Sequence, residues 1–527
     1  MTDDRDESPP WSTTAVVAVV TVVFAGVLLA RVGPVVSSLA AVGTGCLFAL
    51  SLWLVDREGD RASTALVGAL APVVGAGIAV AVGITTLVLV ARAFPVPDAS
   101  QVRPRSLDVA SAAIAAGGAT IAMAGALASP GGLLRGETAR EHAETSLRTV
   151  ALVLSVGALS ILPSLTDPAN EGVLDPGIGV VNGVLGALLW PVPGRTHLFT
   201  FLVVWTLTAV AVVAAVDRLP VAVLPAASRD RVRRVVERVR SRGRRAVVVA
   251  AALVPVSLVE FVVDQTALGR WLGPLYGLLA AVTGSDVLRA LAAGCLVAAA
   301  LFVGSVGLLR LAAGATRQDL AAEASAFVGG VVVVGLVVAT HGVVVEPTVG
   351  FVVERLPGAH AEGFERQADA ILSAFGTAAV GLVVAAGLAG VATAGSFALA
   401  LGSSVGSVPD RALGPALAAA GLFVAAAFAV PAGAGGVLAI ASLVACFVVW
   451  DAGEYGVTLG REVGPGAATG PVVLHLGVTV VLGAGLAAGV RAALAVTDWL
   501  PVVTGPALPV AFAVVVVGFV ATALALR

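Results

Sequence analysis

The chain has 527 residues, of which 58% are hydrophobic and only 12% charged, against about 45–50% and about 25% in soluble globular proteins. So little charge cannot keep a large soluble domain wet, and composition alone places the chain in the membrane class. The formal net charge of −2 conceals a skew, because all 31 basic residues are Arg. Without lysine there is no Walker A lysine, no Schiff-base lysine for retinal or PLP and no lysine general base, which excludes P-loop pumps and retinal proteins.

Residues 1–12 read as an acidic cytoplasmic tail, with Asp3, Asp4, Asp6 and Glu7 where a cleavable signal peptide would be basic. The first apolar run is therefore read as a retained span. A helix needs about 20 apolar residues to cross the hydrocarbon core. Runs that meet or approach this test lie at Thr13–Ala30, Pro34–Val55, Ala65–Val90, Val109–Ala128, Val150–Leu165, His197–Val216, Ala246–Val263 and Val287–Leu309. They continue at Ser325–His341, Ile371–Ala394, Leu413–Val430, Gly436–Trp450, Pro471–Gly489 and Pro509–Leu526. The fold class is all-α, a polytopic integral membrane bundle of about 14 transmembrane helices.

Four regions follow: the tail, an N-terminal four-helix region over 13–145, a hairpin region over 146–394 that includes the basic segment 219–245, and a C-terminal four-helix region over 395–527. In the hairpin region a span, an external loop and a second span recur near Ser146–Pro220, Arg244–Ala313 and Ser325–Thr393. Two short apolar stretches in these loops, Gly177–Trp190 and Trp271–Val282, read as re-entrant or interface-lying helices. The repeat has two readings, a transporter with broken helices at a substrate site or the ordinary appearance of stacked helical hairpins.

Arginine sets the orientation. With the N-terminus inside, the nine arginines of Leu219–Arg245 fall inside, as do Arg57 and Arg61, Arg135 and Arg140, and Arg310 and Arg317. Acid-rich loops, with Asp167, Glu171 and Asp175, then Asp264, and then Glu346, Glu354, Glu362, Glu365 and Asp369, fall opposite. Arg92, Arg103 and Arg105 break the pattern. Both termini are then cytoplasmic, in a cell-membrane protein. Trp11, Trp53, Trp190, Trp271, Trp450 and Trp499 lie near span ends, as an aromatic belt should.

The basic segment carries a pattern of its own. Val232, Val235, Val236 and Val239 recur at i, i+3, i+4 and i+7 and form one helical stripe, with Arg231, Arg233, Arg234 and Arg238 around it. Such a helix is expected to lie on the cytoplasmic leaflet, valines in the acyl boundary and guanidinium groups on anionic headgroups. Docking to an acidic protein partner and a purely topological role are the alternatives. Nucleic acid is not expected, because aromatic interleaving is lacking.

The polar candidates elsewhere are Glu260 and Asp264, four residues apart at the external end of one span, and the loop after Trp450 with Asp451, Glu454, Tyr455, Arg461 and Glu462, followed by His475. Paired carboxylates near a membrane suit a proton or cation site, whereas wet helix ends tolerate acids without function. His341 and His475 stand alone in sequence, with no HExxH spacing. Cys46, Cys295 and Cys446 read as small buried hydrophobes and form no CxxC pair. Gly402–Gly406 matches GxSxG without its strand–turn–helix context, and Gly485–Gly489 matches the small-xxx-small packing motif. No nucleophile–base pair, metal set or cofactor signature can be assembled, so no enzymatic activity is expected. The clear spans read mostly Ala, Val, Leu and Gly, which argues against a proton pump.

The stretch Trp450–Gly456, followed by Gly460–Gly464 and His475, resembles an uncharacterised family of haloarchaeal multi-pass membrane proteins commonly encoded near MoxR-type AAA ATPases. The all-Arg usage is similar to that of GC-rich extreme halophiles. The resemblance implies a scaffold or accessory role in a membrane complex, with an AAA ATPase system as the expected cytoplasmic partner and no catalytic residue.

Overall fold

The computed structural model describes residues 9–57, 61–93, 102–165, 195–217, 226–257, 260, 269–270, 272–296, 298–299, 317–404, 412–464, 466 and 469–497. Among them every regular element is helical. Ten helices are long and apolar enough to cross a membrane, and Leu198–Val213 and Leu413–Ala429 are shorter apolar helices. This is the architecture of a multi-pass membrane protein. Of the expected spans, Pro509–Leu526 lies outside the described residues, as does the re-entrant candidate Gly177–Trp190.

The chain divides into two compact units. The first comprises Met1–Val173 and Asp319–Ala495 and contains α1 (Trp11–Val32), α2 (Val35–Val55), α3 (Arg61–Ala93), α4 (Val102–Leu127) and α5 (Gly136–Leu165). The second, Leu174–Gln318 with Val496–Arg527, holds α6 (Leu198–Asp217), α7 (Ala226–Ser257) and α8 (Pro274–Thr283). Returning to the first unit, α9 (Arg317–Val353) leads into α10 (Gly358–Phe375), α11 (Thr377–Ser404), α12 (Leu413–Ala429), α13 (Gly436–Glu462) and α14 (Thr469–Thr497).

The core of the first unit is built on alanine. Ala112, Ala115, Ala116, Ala119, Ala122 and Ala126 of α4 face Ala418, Ala419, Ala425, Ala426 and Ala429 of α12, with Val17, Leu28 and Leu29 of α1 against them. Lipid tails are as apolar as Leu, so membrane helices gain little by hiding hydrophobes and associate through close backbone approach. The seam between α4 and α12 follows that rule. Gly118 and Gly125 on α4 meet Gly421 and Gly414 on α12, and a Cβ on Gly125 would stand 2.6 Å from the Ala418 backbone N. By contrast Gly485 and Gly489, which carry the packing motif visible in sequence, have nothing within 4 Å of a Cβ position.

Four expectations need correction. The expected span Ile371–Ala394 is two helices, because Gly376 at φ 79° cannot continue the α10 helix. The acid-rich external loop before it is itself helical. Glu346 lies inside α9, whose 37 residues reach about 55 Å at 1.5 Å per residue, well beyond a hydrocarbon core of about 30 Å; Glu362, Glu365 and Asp369 lie on amphipathic α10. Hydropathy windows stop at charge, whereas backbone hydrogen bonds do not. The loop after Trp450 is likewise the continuation of α13 to Glu462. Finally, only Cys446 is buried, its thiol 3.2 Å from the Ala419 carbonyl, while Cys46 and Cys295 lie on exposed helix surfaces.

Candidate functional site

The C-terminal polar residues come together because α13 does not end at Trp450. Three further turns carry Asp451 opposite α14, where Nε2 of His475 lies 2.9 Å from the Asp451 carboxylate. This is a close contact without an aligned hydrogen bond. The Thr479 hydroxyl, one turn further along α14, donates to the same carboxylate at 2.6 Å. Tyr455, one turn beyond Asp451, stacks flat on the imidazole with ring centres 4.1 Å apart. Glu454 is exposed and takes no part. The cluster therefore joins two apolar helices through one carboxylate, one imidazole, one hydroxyl and one phenol ring.

In the second unit Glu260 caps a helix. Its two carboxylate oxygens accept the backbone N–H groups of Leu198 at 2.8 Å and Phe199 at 2.9 Å, the first turn of α6. A helix leaves its first N–H groups without partners, and a carboxylate there satisfies two donors and meets the positive end of the dipole. Asp264, its expected companion, lies outside the described residues.

Sequence reasoning missed Arg289, which the structure places beside this cap. It is fully buried. Its Nε donates to the Thr283 carbonyl at 2.9 Å, and its Nη2 reaches the same carbonyl at 2.7 Å, the Thr200 hydroxyl at 3.1 Å and the His197 carbonyl at 3.3 Å. The guanidinium thus gathers the C-terminal end of α8 and the start of α6, and it interacts electrostatically with Glu260. The available signal was an arginine two residues into an expected span, Val287–Leu309.

The basic segment is helical as expected. It runs unbroken into the apolar residues that follow, so the arginines and those residues share one helix, α7. Arg233, Arg234 and Arg238 are exposed, Val235 is exposed, and Val236 and Val239 are half-buried. Arg233 pairs with Glu237 at 3.2 Å, and Arg238 donates to the Arg234 carbonyl. The side chains of Arg231 and Val232 lie outside the described set, although both residues belong to α7.

Two further histidines bind helices together. His341 on α9 meets the Thr377 hydroxyl of α11 at 2.6 Å. His142 on α5 is fully buried, its Nδ1 2.9 Å from the Ser396 hydroxyl of α11 and its ring edge-on to Phe48. Its Nε2 has no partner among the described residues, nor do the buried hydroxyls of Ser146 and Thr149 one and two turns along.

Two cavities belong to the first unit. One, of about 430 Å³, is apolar and framed by α9, α10 and α11, including Val337, His341, Phe364, Ile371 and Val384. The other, of about 380 Å³, is polar and opens where α2 ends, α3 begins and α5 passes. Glu260 and His475 line neither. Among the described residues no group of His, Cys, Asp and Glu is arranged to hold a metal ion.

Compared with known proteins, the chain matches no family profile, no curated sequence and no solved structure.

Proposed function

We propose that the chain is a non-enzymatic scaffold or accessory subunit of a membrane complex, seated in the cell membrane with both termini cytoplasmic. The observation that carries this reading is how its ionisable residues within apolar helices are used. Glu260 spends both oxygens on the start of α6, Arg289 spends its donors on carbonyls and the Thr200 hydroxyl, and His475 and Asp451 face each other. Ion-coupled carriers hold such groups at a midplane substrate site; here they join helix to helix. The exposed arginines of α7 supply a basic surface for an acidic cytoplasmic partner, in keeping with the AAA ATPase system that the C-terminal resemblance implies. The test is capture of the full chain from native membranes in mild detergent. Partner proteins at fixed stoichiometry, lost on joint Arg233→Gln, Arg234→Gln and Arg238→Gln substitution, are the expected result. Repeated recovery of the chain alone overturns the reading.

The apolar cavity between α9, α10 and α11 favours a second reading, a permease or flippase for an apolar or lipid-like substrate. Its size falls in the range of ligand pockets, about 300–1,000 Å³. Lipid flipping in proteoliposomes that Val384→Trp abolishes is its expected signature, and no transport across a broad lipid panel counts against it.

A further inference from the structure

Helix α5 carries three polar atoms that are buried and have no hydrogen-bond partner among the described residues: Nε2 of His142 and the hydroxyls of Ser146 and Thr149. All three side chains are fully buried, and their spacing of four and three residues puts them on one helix face. A helical hydroxyl can donate to the carbonyl four residues back, and Ser155 and Ser160 on this same helix do so at 2.7 and 2.8 Å. Ser146 and Thr149 do not. An unpaired buried polar group is costly, so three in a row call for a partner that is not part of the chain.

The ring of His142 decides what kind of partner that is. Its Nδ1 lies 2.9 Å from the Ser396 hydroxyl oxygen. Ser396 donates its one proton to the Ala392 carbonyl at 3.0 Å, so its oxygen accepts from Nδ1–H. No carboxylate is among the contacts of the ring, which are Ser396 and Phe48. A neutral imidazole carries a single N–H, which leaves Nε2 a bare lone pair. Thr393, a turn earlier on α11, gives its proton to the Ala389 carbonyl at 2.8 Å, so that hydroxyl has none left to give. The partner must therefore donate a hydrogen bond to Nε2. An anion is repelled by the lone pair, and a metal ion finds no ligand set among the described residues. Full burial admits only the smallest hydroxylic donor.

We infer that the seam between α5 and α11 binds ordered water: one molecule donates to Nε2 of His142 and accepts from the Ser146 hydroxyl, and a second bridges Ser146 and Thr149. Residues three and four apart on a helix stand about 5–6 Å apart at Cβ, within reach of one water making two hydrogen bonds of about 2.8 Å. Buried waters make about three hydrogen bonds each, to polar groups that would otherwise lack partners. The two helices are then joined through water as well as through the direct contact of His142 with Ser396. The inference stands whether the chain is a scaffold or a permease, because neither reading uses these residues.

The full chain, reconstituted in lipid with 15N-labelled histidine, is read by solid-state NMR with magnetisation transferred from water protons. Loss of a signal in His142→Gln assigns it to His142. A proton on Nδ1, an unprotonated Nε2 and transfer from water to Nε2 are the expected result. Ser146→Ala and Thr149→Val then test the hydroxyls by thermal midpoint. In a hydrated seam each variant removes a hydrogen bond to water and lowers the midpoint, whereas in a dry seam each relieves an unpaired hydroxyl and raises it. A proton on Nε2, no transfer from water to the His142 ring, or a midpoint unchanged or raised in either variant overturns the inference. Should His142→Gln fail to fold, Ser396→Ala makes the assignment instead, by shifting the one ring signal that depends on its hydroxyl.

Discussion

Nε2 of His475 on α14 stands 2.9 Å from the carboxylate of Asp451 on α13, beneath the stacked ring of Tyr455. Removing one member leaves the other polar group without its partner beside apolar helices, which costs more than removing both. Asp451→Leu alone is expected to lower stability by about 1–3 kcal/mol, and the partial exposure of both side chains keeps it from the larger cost of a fully buried pair. The double variant Asp451→Leu, His475→Leu is expected to lose less than the sum. A double-mutant cycle on thermal midpoints in detergent checks this; strict additivity would show that the two residues do not cooperate.

Glu260 makes a second test, because capping and proton binding ask different things of it. As a cap it needs acceptors and not charge. Glu260→Gln keeps one acceptor for the Leu198 and Phe199 N–H groups and is expected to cost under 1 kcal/mol, while Glu260→Ala removes both and costs about 1–2 kcal/mol. The thermal midpoints of the two variants are compared. Equal loss in both would mean that the charge, through Arg289, matters more than the cap.

The helices themselves were legible in sequence because apolar length is a strong local signal, and α1, α2 and α4 lie where composition puts them. Their ends were not, since Glu346 and Asp451 sit on helices whose backbone ladder runs on past the charge. The sites were legible only as residue lists. Asp451 and His475 were named but not joined, because the pairing depends on α13 continuing antiparallel to α14. Arg289 was passed over inside an apolar run, and its role depends on carbonyls that no side-chain motif encodes. The glycine seam escaped for a related reason: Gly118, Gly125, Gly414 and Gly421 recur at seven-residue spacing, while the four-residue motif at Gly485 drew attention and is not used among the described residues.

The side of the membrane on which α7 emerges decides whether its arginines can meet a cytoplasmic partner. Arg238 is exposed, so Arg238→Cys offers an accessible thiol once Cys46, Cys295 and Cys446 are replaced by Ala. A membrane-impermeant maleimide is expected to label it only after cells are permeabilised. Labelling in intact cells would place the basic segment outside, against the positive-inside rule, and would invert the whole orientation.

The sharpest stability contrast lies between glycines that differ only in what surrounds them. A Cβ on Gly118 would stand 2.8 Å from both the Ala425 backbone N and the Gly421 carbonyl. Backbone cannot swing aside as a side-chain tip can, so the helices must separate and the alanine layers between α4 and α12 lose contact. Gly118→Leu and Gly421→Leu are each expected to destabilise by about 1–3 kcal/mol or prevent folding. Gly485→Leu and Gly489→Leu add a side chain where nothing lies within 4 Å and are expected to stay within about 0.5 kcal/mol of the native chain. Yield of monodisperse protein and thermal midpoint read all four variants together. A reversal, with α14 intolerant and the seam permissive, would mean that α14 carries a helix contact in the membrane while α4 and α12 do not pack as closely as their glycines allow.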